Sequence, residues 1–196
     1  MIEPHSAGWV PGRGYHKLAA ALEAFGLDPA GWVCADLGSH VGGFVCCLLR
    51  RGAARVYAIE TGYGVLDYAL RRDPRVVVME RTNALRVRLP EPVDLVTIDV
   101  GWTRQRHILP AARKMLKTGG RIISLVKPHY EADRRLLRRG VLPAEHLAAV
   151  IEQVTVGLGQ LGLLELGRMD SPLPGQAGNR ELFLLLAPTG EAGQET

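Results

Sequence analysis

The sequence of 196 residues contains little cysteine and no long apolar run. Its three cysteines, Cys34, Cys46 and Cys47, lie within apolar stretches and lack the spacing of metal ligands. Their odd number and their setting are typical of reduced core thiols, which argues against a disulfide framework and against a metal site. No segment approaches the roughly 20 uncharged apolar residues of a membrane span, and the N-terminus lacks the order of a signal peptide. We therefore expect a cytoplasmic chain with no membrane partner and no bound metal.

The sequence does contain enough apolar material for one compact α/β domain, since 47% of its residues are hydrophobic. Short apolar runs alternate with segments of helical periodicity, which is typical of a mainly parallel sheet with helices on both faces. We predict helices near 15–25, 44–51, 65–72, 106–116 and 144–158, and strands near 32–36, 55–60, 76–79, 93–99, 122–126, 163–168 and 180–186. Gly119-Gly120 is predicted as a turn and residues 128–140 as a basic loop. The last two strands have no helix between them and should form an antiparallel pair at the sheet edge.

Four of the apolar segments end on an ionisable residue, namely Asp36, Glu60, Asp99 and Lys127. Open parallel sheets bind ligands in the crevice outside the carboxyl ends of their strands. We therefore expect these four charged side chains to line one site.

A glycine-rich segment, residues 36–43, follows the first strand and leads into a helix. Glycines there let the backbone approach a ligand, and the helix N-terminus offers free N–H groups, so a nucleotide cofactor is one reading and a tight strand-to-helix turn is the other. Glu60 ends the second strand about twenty residues further on, where a carboxylate can accept hydrogen bonds from both ribose hydroxyls of a nucleotide, or cap a helix. Asn83 follows the third strand and either contacts an adenine edge or forms a turn.

Lys127 stands between Val126 and Pro128, at the end of a strand that helices should cover on both faces. Burial and neighbouring cations favour the neutral amine of a lysine, which can then act as a general base. Asp99, at the end of another predicted strand, would hold or orient that amine. A purely structural ion pair between the two residues is the alternative.

Positive charge is concentrated in residues 104–139, which hold eleven lysines and arginines against two acids and so carry a net charge of +9 in a chain of +4. Concentrated charge of this kind suits a polyanionic partner. A solvated helix face is the alternative. Much of the segment flanks the strand that ends at Lys127, which favours the first interpretation.

Several motifs occur in one order along the chain: Gly12-Arg-Gly-Tyr-His-Lys17, Asp36-Leu-Gly-Ser-His-Val-Gly-Gly-Phe44, Tyr57-Ala-Ile-Glu-Thr-Gly-Tyr-Gly64, Thr97-Ile-Asp-Val100, Leu125-Val-Lys-Pro128 and Gly178-Asn-Arg-Glu181. Together they resemble the TlyA (hemolysin-like) branch of the FtsJ/RrmJ ribose 2′-O-methyltransferases. The resemblance implies a Rossmann-like S-adenosylmethionine-dependent methyltransferase fold, with a mostly parallel seven-stranded sheet and an antiparallel edge strand. It assigns residues 15–187 to the methyltransferase domain, 1–14 to an N-terminal extension and 188–196 to a flexible tail. Members of that branch usually carry an S4-type RNA-binding domain ahead of the methyltransferase, and we expect this chain to lack it.

By the same resemblance, Lys17, Asp99, Lys127 and Glu181 form a catalytic tetrad in which Lys127 deprotonates a ribose 2′-hydroxyl. The cofactor S-adenosyl-L-methionine would be held by residues that follow the strands: Gly38, Ser39, Gly42, Gly43, Phe44, Glu60, Asn83 and Asp99. The phosphates of RNA would be bound by arginines: Arg13, Arg104, Arg106, Arg134, Arg135, Arg138 and Arg139. Trp102 and Tyr130 would stack on a flipped base, or simply pack against the protein.

We therefore expect an enzyme that methylates a ribose 2′-hydroxyl of RNA, with ribosomal RNA or a ribosomal subunit as its partner. A non-catalytic RNA- or ribosome-binding protein of the same fold is one alternative, against which the complete tetrad argues. A methyltransferase of a non-RNA substrate is another, and it would not need a net charge of +9 beside the site. A NAD-dependent dehydrogenase is disfavoured because the glycine spacing is not that of dinucleotide sites.

Overall fold

The computed structural model of the chain describes residues 11–190. Residues 1–10 of the predicted extension and 191–196 of the predicted tail lie outside the described residues. The helices are α1 (Arg13–Ala24), α2 (Gly43–Arg50), α3 (Tyr68–Arg71), α4 (Gln105–Arg113), α5 (Pro128–Glu131) and α6 (Ala144–Val156). The strands are β1 (Val33–Leu37), β2 (Arg55–Ile59), β3 (Val76–Met79), β4 (Val93–Ile98), β5 (Leu116–Val126), β6 (Leu163–Asp170) and β7 (Leu182–Pro188). Every predicted helix and strand has a counterpart, and α5 is an addition.

The seven strands form one sheet in the order β3-β2-β1-β4-β5-β7-β6. Strands β1 to β5 are parallel, whereas β7 runs antiparallel to both β5 and β6. The predicted mostly parallel sheet with an antiparallel pair at one edge is confirmed. Within that pair, β6 is the edge strand and β7 lies between β6 and β5. Residues 182–187 of β7 are all buried, while exposed positions recur along β6. The more apolar strand thus takes the position with a neighbour on each side.

Helices cover both faces of the sheet, as predicted. Successive strand residues such as Cys34 and Ala35 belong to two different core clusters, because side chains alternate between the faces of a sheet. Leu18 of α1 and Val45 of α2 pack into the first cluster, and Ile108 of α4 packs into the second. The chain therefore has two apolar layers with the sheet between them.

Helix α3 is shorter than the predicted helix and begins at Tyr68. The carboxylate of Glu80, which follows β3, accepts hydrogen bonds from the backbone N–H groups of Gly64, Val65 and Leu66. These bonds hold residues 64–66 as a loop, because N–H groups bonded to a carboxylate are withdrawn from helical pairing. The sequence pattern around residue 65 gives no indication of this distant acceptor.

Two further segments differ from the predictions. Gly119-Gly120 lies inside β5, which begins at Leu116, and the pairing of β5 with β4 shifts register across the two glycines. The glycines therefore form an irregularity within the strand instead of a turn before it. Residues 128–131 of the predicted basic loop form α5, which begins at Pro128 because the fixed φ of proline suits the first helical position.

Candidate active site

A cleft of about 650 Å³ opens at the carboxyl ends of β1, β2, β4 and β5, where parallel sheets bind their ligands. Residues of α1 and of the segment before β7 complete its wall. The cleft is lined by all four residues of the expected tetrad and by four of the expected cofactor contacts: Lys17, Gly38, Glu60, Asn83, Asp99, Lys127 and Glu181.

Lys127 and Asp99 form an ion pair in this cleft. Both residues directly follow neighbouring strands, β5 and β4, so their side chains emerge side by side at the sheet edge. The Nζ atom of Lys127 lies 2.6 Å from Oδ1 of Asp99 and also donates to the carbonyl oxygen of Val100 at 3.2 Å. The Lys127 side chain is 16% exposed and that of Asp99 28% exposed, so the pair is shielded but reachable from the cleft.

Lys17 and Glu181 form a second ion pair, with Nζ and Oε2 2.5 Å apart. Lys17 projects from α1 and Glu181 immediately precedes β7, and both side chains are less than a tenth exposed. The chain passes close to this pair, since a Cβ atom added to Gly175 would lie 2.2 Å from Oε1 of Glu181. The structure therefore brings the four expected tetrad residues together as two ion pairs in one cleft.

The glycine-rich turn after β1 is shaped by contacts within the protein. Gly38 has a φ of +86°, and a Cβ atom there would lie 2.5 Å from the carbonyl oxygen of Asp99. A Cβ atom on Gly43 would lie 3.0 Å from the Cα atom of Gly14, so glycine lets α1 cross closely over the start of α2. Of the glycines predicted to contact a cofactor, Gly38 alone is among the described residues that line the cleft.

The remaining predicted contacts from this segment lie behind the cleft wall. A Cβ atom on Gly42 would meet the side chains of Leu70 and Leu66, so this glycine makes room for core residues. Phe44 is buried and packs against Phe183, with ring centroids 6.1 Å apart. Ser39 is also buried, and its Oγ atom has no hydrogen-bond partner among residues 11–190.

Asp36 is not among the described residues that line the cleft, which corrects the expectation that four charged strand ends share it. Strand β1 continues to Leu37, so Asp36 lies inside the strand, is 1% exposed and accepts a hydrogen bond from Thr97 at 2.7 Å. Its Oδ2 atom has no partner among residues 11–190. Burial raises the pKa of Asp36 to about 7, opposed by the Thr97 hydrogen bond and assisted by the charges of Asp99 and Glu60.

Glu60 directly follows β2 and lines the cleft. Its carboxylate accepts hydrogen bonds from the backbone N–H groups of Gly62 at 2.8 Å and His40 at 3.0 Å. Burial raises the pKa of Glu60, but these backbone donors, together with Thr61, outweigh burial and hold the pKa below its usual range. The cleft therefore presents a fixed negative charge at this strand end.

Asn83 lines the cleft as well, but its side chain forms a turn. Its Oδ1 atom accepts a hydrogen bond from the backbone N–H of Leu85 at 2.9 Å. The turn interpretation of Asn83 is therefore correct, and its place in the cleft wall is compatible with a ligand contact in addition.

Three aromatic side chains lie beside Lys127. The rings of Trp102 and Tyr130 stack with centroids 4.6 Å apart, and the ring of His129 lies 4.2 Å from that of Tyr130. Trp102 is 79% exposed and has a φ of +57°, a conformation that bulky residues rarely adopt. Burial, assisted by the charge of Lys127, lowers the pKa of His129.

The basic segment 104–139 is divided by the fold. Helix α4 runs from the cleft edge towards the start of β5, so Arg113, Lys114, Lys117 and Arg121 lie at the opposite end of the sheet. The expectation that much of the segment flanks Lys127 therefore holds only for its two ends. Of the seven arginines predicted to bind RNA, only Arg13 lines the cleft itself. Arg104, Arg106 and Arg134 line two other concavities, which Glu131 of α5 and Gln153 of α6 also line.

Individual arginines of this group are engaged to different degrees. Arg135 pairs with Asp133 at 2.7 Å, and Arg138 lies 3.5 Å from Glu145. Arg13, which lines the cleft itself, donates from Nη2 to the carbonyl oxygen of Pro174 at 2.5 Å. The structure thus gives Arg13 a role in holding the loop before β7 against the cleft.

That loop is a part of the site that the sequence pattern did not reveal. Pro174 and Gly175 line the cleft, and the backbone of Gly175 donates to the carbonyl oxygen of Asn179 at 2.7 Å. Asn179 is buried; its side chain donates to the carbonyl oxygen of Gly140 and accepts from the backbone N–H of Leu142, just after the basic segment. A run of prolines and glycine before the last strand was the available signal, but it predicts a loop and not its contacts.

The described residues hold neither a metal-binding cluster nor a membrane-spanning helix. No group of three or more histidine, cysteine, aspartate or glutamate residues in 11–190 has a geometry that could hold a metal ion. Within the same range, no helix has the length and apolarity needed to cross a membrane.

Comparisons with known proteins show the family to which the chain belongs. The family model described as FtsJ-like methyltransferase matches residues 10–187. The 16S/23S rRNA (cytidine-2′-O)-methyltransferase TlyA of Mycobacterium tuberculosis is 44% identical over 192 residues, which cover 95% of this chain and 71% of that protein. Hemolysin A of Brachyspira hyodysenteriae is 31% identical over 175 residues, covering 86% of this chain and 73% of that one.

Solved structures give the same result. The crystal structure of a hemolysin candidate from Lactococcus lactis aligns with a TM-score of 0.87 and 35% sequence identity, covering 92% of this chain and 89% of that one. The resemblance to the TlyA branch is thus confirmed by both sequence and structure. The family match includes every residue that lines the cleft. Because the family model matches residues 10–187, which is most of the chain, the chain belongs to the FtsJ-like methyltransferase family.

Proposed function

We propose that this enzyme is an S-adenosylmethionine-dependent RNA methyltransferase that modifies a ribose 2′-hydroxyl of ribosomal RNA. The observation that carries the proposal is the convergence of the Lys127–Asp99 and Lys17–Glu181 ion pairs on one cleft. The names of the relatives support the substrate, since TlyA of Mycobacterium tuberculosis is described as acting on cytidine 2′-hydroxyls of rRNA.

The cleft has features that suit the proposed cofactor. Glu60 would accept hydrogen bonds from the ribose hydroxyls, Asn83 would lie near the adenine, and Gly38 would let the backbone approach the methionine moiety. Asp99 would face the sulfonium, whose positive charge a carboxylate stabilises. When bound, the cofactor supplies a methyl group that its sulfonium has already activated.

The protein then has to align a ribose oxygen with that methyl group and remove its proton. In the ion pair with Asp99, Lys127 carries a proton, which it would have to release to water in the cleft before it can act as a base. The neutral amine would then take the proton of the 2′-hydroxyl while that oxygen bonds to the methyl carbon and the methyl–sulfur bond breaks, with the neutral thioether leaving. This transfer would restore the ammonium beside Asp99. Lys17 and Glu181, less than a tenth exposed, would orient the nucleotide and fix the electrostatic setting of the base.

RNA would reach the cleft across the arginines predicted to bind it. Arg13, Arg104, Arg106, Arg134, Arg135, Arg138 and Arg139 would contact phosphates, which binds RNA without reading its sequence. The exposed ring of Trp102, supported from below by Tyr130, offers a surface on which a base that has left its stack can rest.

The decisive experiment is tritiated-methyl transfer from S-adenosylmethionine to unmodified ribosomal subunits and to naked rRNA. We expect incorporation at a ribose with the wild-type enzyme, none with Lys127→Ala, and unchanged cofactor binding by that variant. Lys117→Ala is the matched control, because Lys117 also forms an ion pair, with Asp94, but at the far end of β5. Full turnover by Lys127→Ala would exclude Lys127 as the base. Tight cofactor binding without any transfer to RNA would favour a non-RNA substrate or a non-catalytic binding protein.

A further inference from the structure

A second large concavity adjoins the cleft and has no role in the proposed chemistry. It lies between residues 85–92, which connect β3 to β4, and one side of α4, and its volume is about 770 Å³. We refer to it as the α4 groove. Leu85 lines both the cleft and the α4 groove, so the two concavities are adjacent on the surface.

The sequence explains why the α4 groove has a cationic edge. In the connecting segment, Val87 and Leu89 are partly buried against the second core cluster, while Arg86 and Arg88 alternate with them and are exposed. Residues 84–86 form a turn, closed by hydrogen bonds from the N–H groups of Arg86 and Val87 to the carbonyl oxygen of Asn83. The apolar side chains of the segment are therefore directed inward, and its two arginines are exposed.

Helix α4 supplies the opposite wall. His107, Pro110, Ala111 and Lys114 line the α4 groove, and their spacing of three, one and three residues places them on one side of the helix and its C-terminal cap. Lys114 is exposed at the end of this row. The groove thus has an apolar floor between two walls that each carry positive charge.

The charge of the α4 groove is not neutralised by the protein. Arg86, Arg88 and Lys114 have no ion-pair partner among residues 11–190. The single acid in the lining, Glu91, is already engaged, because its Oε1 atom accepts hydrogen bonds from Arg55 at 2.6 Å and from the Tyr57 hydroxyl at 2.7 Å. A concave surface with three uncompensated cations attracts a polyanion.

We propose that the α4 groove binds the sugar-phosphate backbone of the RNA segment next to the target nucleotide. This inference rests on the proposed function. Because the groove meets the cleft at Leu85, a strand whose target ribose lies beside Lys127 can continue over the turn at Asn83 and along α4. Arg86, Arg88 and Lys114 contact its phosphates, and the exposed Leu85 packs against a sugar or a base. The surface that binds RNA therefore extends beyond the arginines of the 104–139 segment.

The test compares Arg86→Gln/Arg88→Gln with Arg51→Gln/Arg72→Gln. The control variant removes Arg51 and Arg72, two exposed arginines that follow α2 and α3. Both precede strands, so they lie at the end of the sheet opposite the cleft. Binding to naked rRNA and to unmodified ribosomal subunits is measured from 50 to 300 mM salt. We expect the groove variant to bind about tenfold more weakly at low salt, and its slope of log Kd against log salt to fall by about 1.5, since each lost phosphate contact removes about 0.7–0.9. KM for RNA should rise while kcat and the affinity for S-adenosylmethionine stay unchanged.

The outcomes separate the two proposals. If the wild type methylates RNA and the groove variant matches the control in Kd, slope and KM, the inference about the α4 groove is wrong and the proposed function stands. If the groove variant loses affinity for assembled subunits but not for naked rRNA, the groove binds a ribosomal protein and the RNA assignment is overturned. If the wild type transfers no methyl group to any RNA, the proposed function fails first and the groove assignment fails with it.

Discussion

The Nζ atom of Lys17 lies 2.5 Å from Oε2 of Glu181, although 164 residues separate them in the chain. Both side chains are less than a tenth exposed, so the two charges depend on each other for compensation. Removal of one partner leaves an uncompensated buried charge, whereas replacement of both partners by apolar side chains leaves no buried charge. The single variants and the double variant should therefore differ in stability.

Glu181→Gln and Lys17→Met should each lower the free energy of unfolding by about 3–5 kcal/mol, and the double variant Lys17→Met/Glu181→Leu should recover most of that loss. Urea unfolding of the three variants measures this. Asp170→Asn, which breaks the exposed pair with Arg180, is the control and should change stability by less than about 1 kcal/mol. Stability that is unchanged in both single variants would show that the pair contributes little. The double variant should be inactive in methyl transfer even though its stability is recovered, because it lacks two of the proposed tetrad residues.

Asp36 should make stability depend on pH. Its carboxyl has an ordinary value of 3.8 in the unfolded chain and a pKa of about 7 when folded, so between these values the folded state holds a proton that the unfolded state has lost. Unfolding then releases a proton, and the contribution of Asp36 to stability falls as pH rises from about 4 to about 7, by at most about 1.4 kcal/mol per pH unit, and is constant above that range.

Asp36→Asn removes this titration while keeping a group that can accept the Thr97 hydrogen bond. The difference in unfolding free energy between Asp36→Asn and the wild type should therefore grow in favour of the variant from pH 5 to pH 7. Urea unfolding at four or five pH values measures the difference. Parallel pH profiles for the two proteins would refute the assignment of a raised pKa to Asp36.

Glu60→Gln should weaken binding of S-adenosylmethionine about 10- to 100-fold, because hydrogen bonds to a charged acceptor contribute about 1.5–3 kcal/mol. The carboxylate accepts hydrogen bonds from the backbone N–H groups of both Gly62 and His40. The amide has a single oxygen, so its own N–H group would face one of these two donors. Calorimetric titration with the cofactor gives the affinity. Glu91→Gln is the control, since Glu91 bonds Arg55 and Tyr57 outside the cleft, and an equal loss of affinity in both variants would argue against a cofactor role for Glu60.

Gly43→Ala should destabilise the protein by about 1–3 kcal/mol, because its Cβ atom would lie 3.0 Å from the Cα atom of Gly14 and backbone must move to admit it. The movement displaces α1, which carries Lys17, so methyl transfer should decline as well. Gly159→Ala is the control, with no atom within 4 Å of its Cβ position and no positive φ. Thermal unfolding of the two variants should separate them clearly, and equal melting temperatures would show that α1 can shift without strain.

Several parts of the site followed from the sequence. Glu60, Asp99 and Lys127 were located by pattern alone, because each ends an apolar run and parallel strands bring their carboxyl ends to one edge. Lys17 and Glu181 came from the family resemblance, since neither stands at a place that periodicity marks. The prediction for Asp36 was wrong, because β1 extends one residue beyond the predicted end of the strand. Asp36 therefore lies within the strand and its side chain is buried.

The sequence by itself determined the alternation of helices and strands, the mostly parallel sheet and the edge at which charged residues gather, because these depend on local periodicity and on the polarity of the chain. Tertiary structure alone decided that Lys17 pairs with Glu181 and that Arg13 holds the loop at Pro174. It also decided that α4 and the start of β5 place four of the eleven basic residues of segment 104–139 at the end of the sheet away from the cleft. The reason is that periodicity tells which face of an element is buried, but the partner across that face is set by how distant segments pack.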